Sequence, residues 1–332
     1  MAKKHHPKRG SKQFWPRKRA SKPTAKVGSW DSKILPKEVN LLGFPAYKVG
    51  MTHIGVIDNF SHSLTKGTEV CYPVTILETP PIRVLSFKLY KKDSLNNLQI
   101  YKEYVAKIKD KNLQRRITMA KKKVNLPTLD KIKQILEKEQ IEEIRLKVYT
   151  NPNSTTIGKK KPEILEIGLS GSLEEKLEFA YNKLGQEIKV SEVFKGGELL
   201  DSHGVTKGKG FQGAVKRFGV KLTAHKSEKK RRHAGNVGAW TPSRVLTTIP
   251  LPGQTGYHLR TEYNKWLIKV SDDPELINPK SGFKGYGLVK NEYLLIKGSV
   301  QGPRKRLITL VRSIRPNPKY PKIAPEVTYI NK

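Results

Sequence analysis

The chain has 332 residues, and its 65 Lys and Arg against 29 Asp and Glu leave a formal net charge of +36. Hydrophobic residues make up 36%, enough for a buried core, and no run approaches the roughly 18 apolar residues of a spanning helix. The single cysteine, Cys71, excludes intramolecular disulfides and cysteine-cluster zinc sites and fits a reducing cytoplasm. Charge of one sign on a compact chain calls for a polyanion. With no basic amphipathic helix suited to a lipid surface, nucleic acid is the expected partner and no membrane contact is expected.

Residues 1–30 hold ten Lys and Arg and no acid, the first acid being Asp31. Phe14, Trp15, Val27 and Trp30 are too scattered to pack, so the segment reads as a basic arm. It is expected to be disordered in the free protein from Ala2 to Gly28 and extended on RNA, with Trp15 and Trp30 available to stack. No apolar stretch follows the basic start, so a secretory signal is not expected. Strands are expected over 47–57, 68–77 and 82–90, with Gly50 and Gly55 as bends. From 87 to 189 the charge changes character: 23 Lys and Arg mingle with 14 acids, as on an ordinary soluble surface. There Pro127-Thr128 opens a helix with Ile132, Ile135 and Leu136 on its buried side. Ile144, Leu146 and Val148 alternate as a strand, and Ile164, Leu165 and Ile167 do so less cleanly. Ser172-Leu-Glu-Glu175 is a capping box. Leu173, Leu177, Ala180, Tyr181 and Leu184 then share one helical face, and Gly185 ends the helix. Further strands are expected over 187–193, 265–270, 293–300 and 307–314, with Trp266, Leu267, Ile268 and Val270 in the core.

Strands at both ends and helices between them indicate a mainly β fold, a β-barrel interrupted by an α+β insertion. The expected divisions are a basic arm at 1–40, the barrel at 41–86 and 187–332, the insertion at 87–186, and a basic loop at 202–261 within the barrel. That loop carries twelve Lys and Arg, one acid (Glu228) and four of the eight histidines. Its large apolar side chains, among them Phe211, Phe218, Leu222 and Trp240, are too sparse for a core of its own.

Gly208-Lys209-Gly210-Phe211-Gln212-Gly213 fits the dinucleotide pattern GxGxxG. That fingerprint needs a buried strand before it, a helix after it and an acid about twenty residues on. Here the run 201–207 is polar, and Glu228 lies in a basic stretch. No Gly-Lys precedes Ser or Thr, so a Walker loop is absent too. Glycines that admit close backbone approach, with Lys207, Lys209, Lys216 and Arg217 around them, suit a phosphate backbone as well as a nucleotide. His225 and His233 lie among lysines and arginines, a poor place for a cation, and neither a metal nor a cofactor is expected. Trp240, between Gly238 and Pro242, is expected at a turn tip, free to stack on a base.

Phe194, Asp201, Gly204, Thr206, Gly208-Lys209-Gly210, Gly213 and Arg217, at these intervals, closely resemble the signature of the family of ribosomal protein three of the large subunit. Trp15-Pro-Arg-Lys-Arg-Ala20 is similar to the family's amino-terminal arm. Gly238-Ala-Trp240, Gly253-Gln-Thr-Gly-Tyr257-His258 and Arg260-Thr261 resemble its central loop and return to the barrel. The long insertion and the arm resemble the archaeal and eukaryotic type of the family, more specifically the archaeal. The resemblance implies a six-stranded translation-protein barrel and a non-catalytic constituent of the large subunit, one copy per ribosome in the cytoplasm. It implies binding to large-subunit rRNA near its 3′ end, a part in early assembly, and an arm and loop reaching toward the peptidyl transferase centre. Universal protein fourteen and a protein of the twenty-four-e family are the implied neighbours.

The residues expected at rRNA are Trp15, Arg17, Lys18, Arg19, Lys207, Gly208, Lys209, Gly210, Phe211, Gln212, Gly213, Lys216 and Arg217, then His225, Lys229, Lys230, Arg231, Arg232, His233, Trp240, Arg244, Tyr257, His258 and Arg260. Gln212 and His225 are candidates for modification. Two other classes compete: an enzyme acting on nucleic acid, with Asp201 and His203 as a pair or His225 or His233 as a base, and a nucleic-acid condensing protein. No carboxylate cluster suited to magnesium supports the first.

Overall fold

The computed structural model describes residues 14–28, 30, 38–118, 126–226 and 230–332. Its backbone divides into two units. The first is residues 1–23 with 205–260, and the second is residues 24–204 with 261–332. In chain order the strands are β1 (Gly43–Ile57), β2 (Glu69–Glu78), β3 (Ile82–Lys92), β4 (Leu98–Val105), β5 (Ile141–Tyr149), β6 (Ile164–Gly168), β7 (Glu187–Ile188), β8 (Leu199–Val205), β9 (Phe211–Gln212), β10 (Gly253–Gln254), β11 (Leu259–Ser271), β12 (Tyr293–Lys297), β13 (Leu307–Arg312) and β14 (Val327–Ile330). The helices are α1 (Lys111–Gln114), α2 (Leu129–Lys138), α3 (Leu173–Asn182) and α4 (Ala214–Phe218). The fold is therefore mainly β. No helix among the described residues is long and apolar enough to cross a membrane.

In the second unit one sheet runs β13–β8–β11–β12–β2–β1–β14, and β13 also pairs β1. The fifteen-residue β1 serves three partners: Gly43–Tyr47 face β13, most of its length faces β2, and its far end faces β14. It can do so because its register slips between Lys48 and Gly50 and again at Gly55, the two expected bends. Phe44, Ile76, Leu77, Tyr293 and Trp266 fill the core beneath it. The Trp266 indole N–H is satisfied by the Gly197 carbonyl at 3.1 Å, and Phe60 and Tyr320 meet its ring edge-on.

A second sheet, β4–β3–β5–β6 with β7 beside β3, takes the middle of the chain. Here local patterning and structure agree. Both hydrogen bonds of the Ser172–Glu175 capping box form, and α3 buries Leu177 and Ala180. Thr128 precedes α2, which buries Ile132, while Ile144, Leu146 and Val148 of β5 are fully buried.

Three expectations differ from the structure, and some of its strands lie where the sequence indicates none. The strand expected over 187–193 shrinks to the two residues of β7, because Glu192 folds back onto the Lys189 N–H and tightens Val190–Glu192 into a turn of 3₁₀ helix. Trp30 is not a stacking side chain of the arm: it packs on the core, close to Gly43 and Gly168, where an added Cβ would collide with the indole. The polar run at 201–205 is a buried strand, β8. Its polar side chains are satisfied internally: Asp201 accepts from the backbone N–H of Asn264 and Ile314 at 2.8 and 3.2 Å, and Ser202 bonds Gln301 at 2.9 Å. A buried strand thus does precede the glycine motif, but it lies antiparallel to β13, and the helix after the motif has five residues. A dinucleotide unit needs a parallel strand and a long crossover helix, so it is excluded on topology. Finally, β4 and β14 lacked a clear alternating pattern.

Candidate nucleic-acid interface

The glycine motif is built into the first unit by a small hairpin. β9 pairs β10, with Gln212 opposite Gly253 and Phe211 opposite Gln254. The Lys209 N–H donates to Thr255 O and the Thr255 N–H to Gly210 O, both at 2.9 Å. Gly213 then caps α4, and Gly219, left-handed at φ +69°, ends it. Gly210 has φ +66° with open space around it. A side chain there is strained whatever approaches from outside, so this glycine serves the turn itself. Gly256 is more constrained: its φ is +72°, and a Cβ would lie 2.1 Å from the Lys207 carbonyl oxygen.

Contrary to the sequence reading, this unit owns a compact centre. Phe218 of α4 is buried, and Trp15 packs on it with ring centroids 4.4 Å apart. The Arg17 guanidinium lies 4.7 Å from the Phe218 ring. Arg217 donates to the carbonyls of Gln254, Leu251 and Arg17 at 3.0, 2.9 and 3.1 Å. His258, only 8% exposed, uses both ring nitrogens: Nε2 accepts the Gly256 N–H at 3.1 Å, so Nδ1 carries the proton and donates to Lys18 O at 2.9 Å. The Ala20 N–H donates to Tyr257 O at 2.8 Å. Residues 15–20 of the expected disordered arm are thus ordered by partners some 200 positions away, and residues 2–13 lie outside the described residues.

The electrostatics follow. Burial holds the His258 ring below its ordinary pKa, and the cations of Arg260, Arg17 and Arg217 push the same way against the Lys18 hydrogen bond. Burial lowers Arg217 and Arg260 as well. No acid stands among the described residues of this unit, Glu228 lying outside them.

Around the centre, Lys18, Arg19, Lys207, Lys209 and Lys216 are exposed, as is Phe211 at 77%. Gln212 turns inward, its side-chain amide donating to Lys209 O. Over 220–250 the chain carries His225, Lys230, Arg231, Arg232, His233 and Arg244, all exposed. Trp240 is 93% exposed, the unpacked position expected of it. Lys229 lies outside the described residues. Trp15, Arg17, Arg217 and His258 were expected at RNA, but the structure packs their side chains within the protein: backbone carbonyls take up Arg17, Arg217 and His258, and the Trp15 ring lies on Phe218 with its indole N–H unpartnered. Tyr257 and Arg260 are half-buried.

The proposed catalytic pair does not form. Asp201 is held by backbone amides, and His203 Nδ1 faces Thr261 Oγ1 at 3.0 Å, with burial lowering its pKa. Among the described residues no three His, Cys, Asp or Glu gather where a metal could be held.

A family model described as ribosomal protein L3 matches residues 1–332. The chain belongs to the ribosomal protein L3 family. It is 46% identical to the large ribosomal subunit protein uL3 of Methanocaldococcus jannaschii, over 98% of this chain and 96% of that protein. Likewise it is 44% identical to those of Methanobrevibacter smithii and Methanothermobacter thermautotrophicus, over 100% of this chain and 98% of each. The L3-type spacing acquires a physical meaning here, since much of it serves the fold. Phe194 is core and Asp201 ties two backbone segments. Gly204 leaves 2.7 Å between a would-be Cβ and Ile308. Thr206 Oγ1 accepts the His258 N–H at 3.1 Å, and Arg217 clamps three carbonyls. Sequence reasoning missed Phe218 and Gly256 as parts of the L3 site. Phe218 gave no signal within its own stretch, whereas Gly256 stood within a motif already noted.

Proposed function

We propose that this chain is a non-catalytic structural constituent of the large ribosomal subunit whose first unit binds large-subunit rRNA near its 3′ end. One observation carries the reading: the described residues of that unit hold fifteen Lys and Arg and no acid. Such a surface is stable in company with phosphates, which exchange their counterions for these side chains. Lys18, Arg19, Lys207, Lys209, Lys216 and the cations of 225–244 neutralise the backbone, and Phe211 and Trp240 stack on unpaired bases. Trp15, Arg17, Arg217 and His258 hold this surface in shape.

In this reading β13, β8, β11, β12, β2 and β1, whose pairings return on themselves, make the six-stranded translation-protein barrel, and the β4–β3–β5–β6 sheet is its insertion. The protein acts early in subunit assembly and extends Trp240 toward the peptidyl transferase centre. It has one copy per cytoplasmic ribosome and has universal protein fourteen and a twenty-four-e protein as neighbours. The test is fractionation of a lysate at high salt with a tagged chain, followed by crosslinking. Sedimentation with the large subunit and crosslinks to the 3′ region of its rRNA are expected. Equal affinity of the purified protein for duplex DNA and rRNA, or turnover of RNA by it, would overturn the proposal.

A further inference from the structure

The second unit has a basic surface of its own. Three loops form it. In the loop between β5 and β6, Thr156 Oγ1 donates to the Leu288 carbonyl at 2.8 Å, which anchors residues 155–161 on the loop between β11 and β12. A second tie, from Asn291 Nδ2 to Ser154 O at 3.3 Å, holds the same two loops. The third loop joins β12 to β13. Arg304 on it lies beside Gly285, 3.6 Å from where a Cβ would stand, and the Lys305 N–H donates to Lys48 O at 2.7 Å. Lys48 Nζ is turned inward to the carbonyls of Val300 and Gly302.

Apart from Lys48, these ties are made by backbone and by neutral side chains, so the other cations of the loops are left outside. Lys160, Lys161, Lys284, Lys290, Arg304 and Lys305 are all exposed. Of the acids of the three loops, Glu163 is paired with Lys159 and accepts from Tyr47, Glu292 accepts from Val190 N and Ser191 Oγ, Asp273 accepts from the Glu275 N–H, and Asp272 and Glu275 are exposed near the β11 end of its loop. Buried Glu78 accepts from Tyr286 and from the amides of residues 290 and 291. Burial lowers the Lys48 pKa; Glu262 opposes this, and Arg304 and Lys265 add to the lowering.

We propose that these three loops form a second phosphate-binding surface, which takes the backbone of folded rRNA independently of the glycine motif; the proposal rests on the ribosomal reading above. A protein partner is disfavoured because Leu276 and Leu288 are the only large apolar side chains of the three loops that are substantially exposed among the described residues, and no aromatic joins them, whereas protein interfaces need a central apolar or aromatic anchor. A phosphate backbone needs only spaced cations.

The experiment uses the full chain and transcribed large-subunit rRNA. The variant Lys284→Gln/Lys290→Gln/Arg304→Gln removes three exposed charges, so its melting should match the wild type. Every phosphate that is no longer neutralised reduces the slope of log K against log salt by about 0.7–0.9, so the slope should fall by about two. In purified large subunits, Lys284 and Lys290 should resist acetylation until the RNA is digested. An unchanged slope in the folded variant, or protection that survives nuclease because a protein covers the loops, overturns this proposal while the wild type still sediments with the large subunit. Failure of the wild type to join the subunit overturns both readings.

Discussion

Arg217 distinguishes a residue that touches RNA from one that shapes the surface touching it. Its guanidinium donates to three backbone carbonyls, those of Gln254, Leu251 and Arg17, and lies 4.9 Å from the Phe218 ring. Hydrogen bonds from a charged donor contribute roughly 1.5–3 kcal/mol each. The side chain is half-buried, so water replaces part of what is lost, and the three are not additive. For Arg217→Ala a loss on the order of 3 kcal/mol from the first unit is therefore expected, about a hundredfold in its opening equilibrium. Arg217→Lys should recover only part, since one ammonium cannot reproduce the planar fork. Hydrogen exchange at Thr206, Lys209 and Thr255, whose amides are bonded within this unit, reads the effect directly. Amides of β2 and β12 serve as the internal control. Faster exchange confined to the first unit is expected. Unchanged exchange with a steep loss of rRNA affinity would refute the reasoning and make Arg217 a phosphate ligand.

Gly256→Ala should unfold the hairpin region at a cost on the order of 2–4 kcal/mol, from backbone collision and left-handed strain together. Gly213→Ala, with nothing within 4 Å and an ordinary φ, should be tolerated in the free protein and felt only in subunit assembly; equal destabilisation by both in a melting experiment would contradict this. Trp240→Ala should shift free stability by less than about 0.5 kcal/mol and still enter subunits, with altered peptidyl transfer by those subunits as the readout; a destabilised free protein would show it to be core. His258 titrates lower in the folded unit than its ordinary value near 6.5, so folding favours the neutral ring. Its contribution is complete above that value and is lost as pH falls through the folded pKa. Exchange in the first unit should accelerate on mild acidification, and His258→Asn should flatten that dependence; an unchanged profile would exclude the mechanism.

Where a short stretch of chain contains its own partners, the sequence alone determined the outcome. The Ser172–Glu175 box satisfies itself within four residues, and the face of Leu177 and Ala180 in α3 and the alternation of β5 each show in a few residues which side is to be buried. Segregation of charge is equally local: basic stretches without acids stayed exposed at Lys209, Arg231 and Arg244, and Trp240 among them stayed uncovered. Tertiary structure decided what depended on distant partners. Asp201 and Ser202 read as a polar loop until residues 264, 301 and 314 supply the hydrogen bonds that let them be buried. Trp15 reads as a base-stacking side chain until Phe218 arrives beside it. Arg217 and His258 read as phosphate ligands until the carbonyls of 251, 254 and 18 occupy them. A polar side chain is buried when a partner meets its hydrogen-bonding need at lower cost than water. That partner, tens to hundreds of residues away along the chain, is set by the closing of the fold.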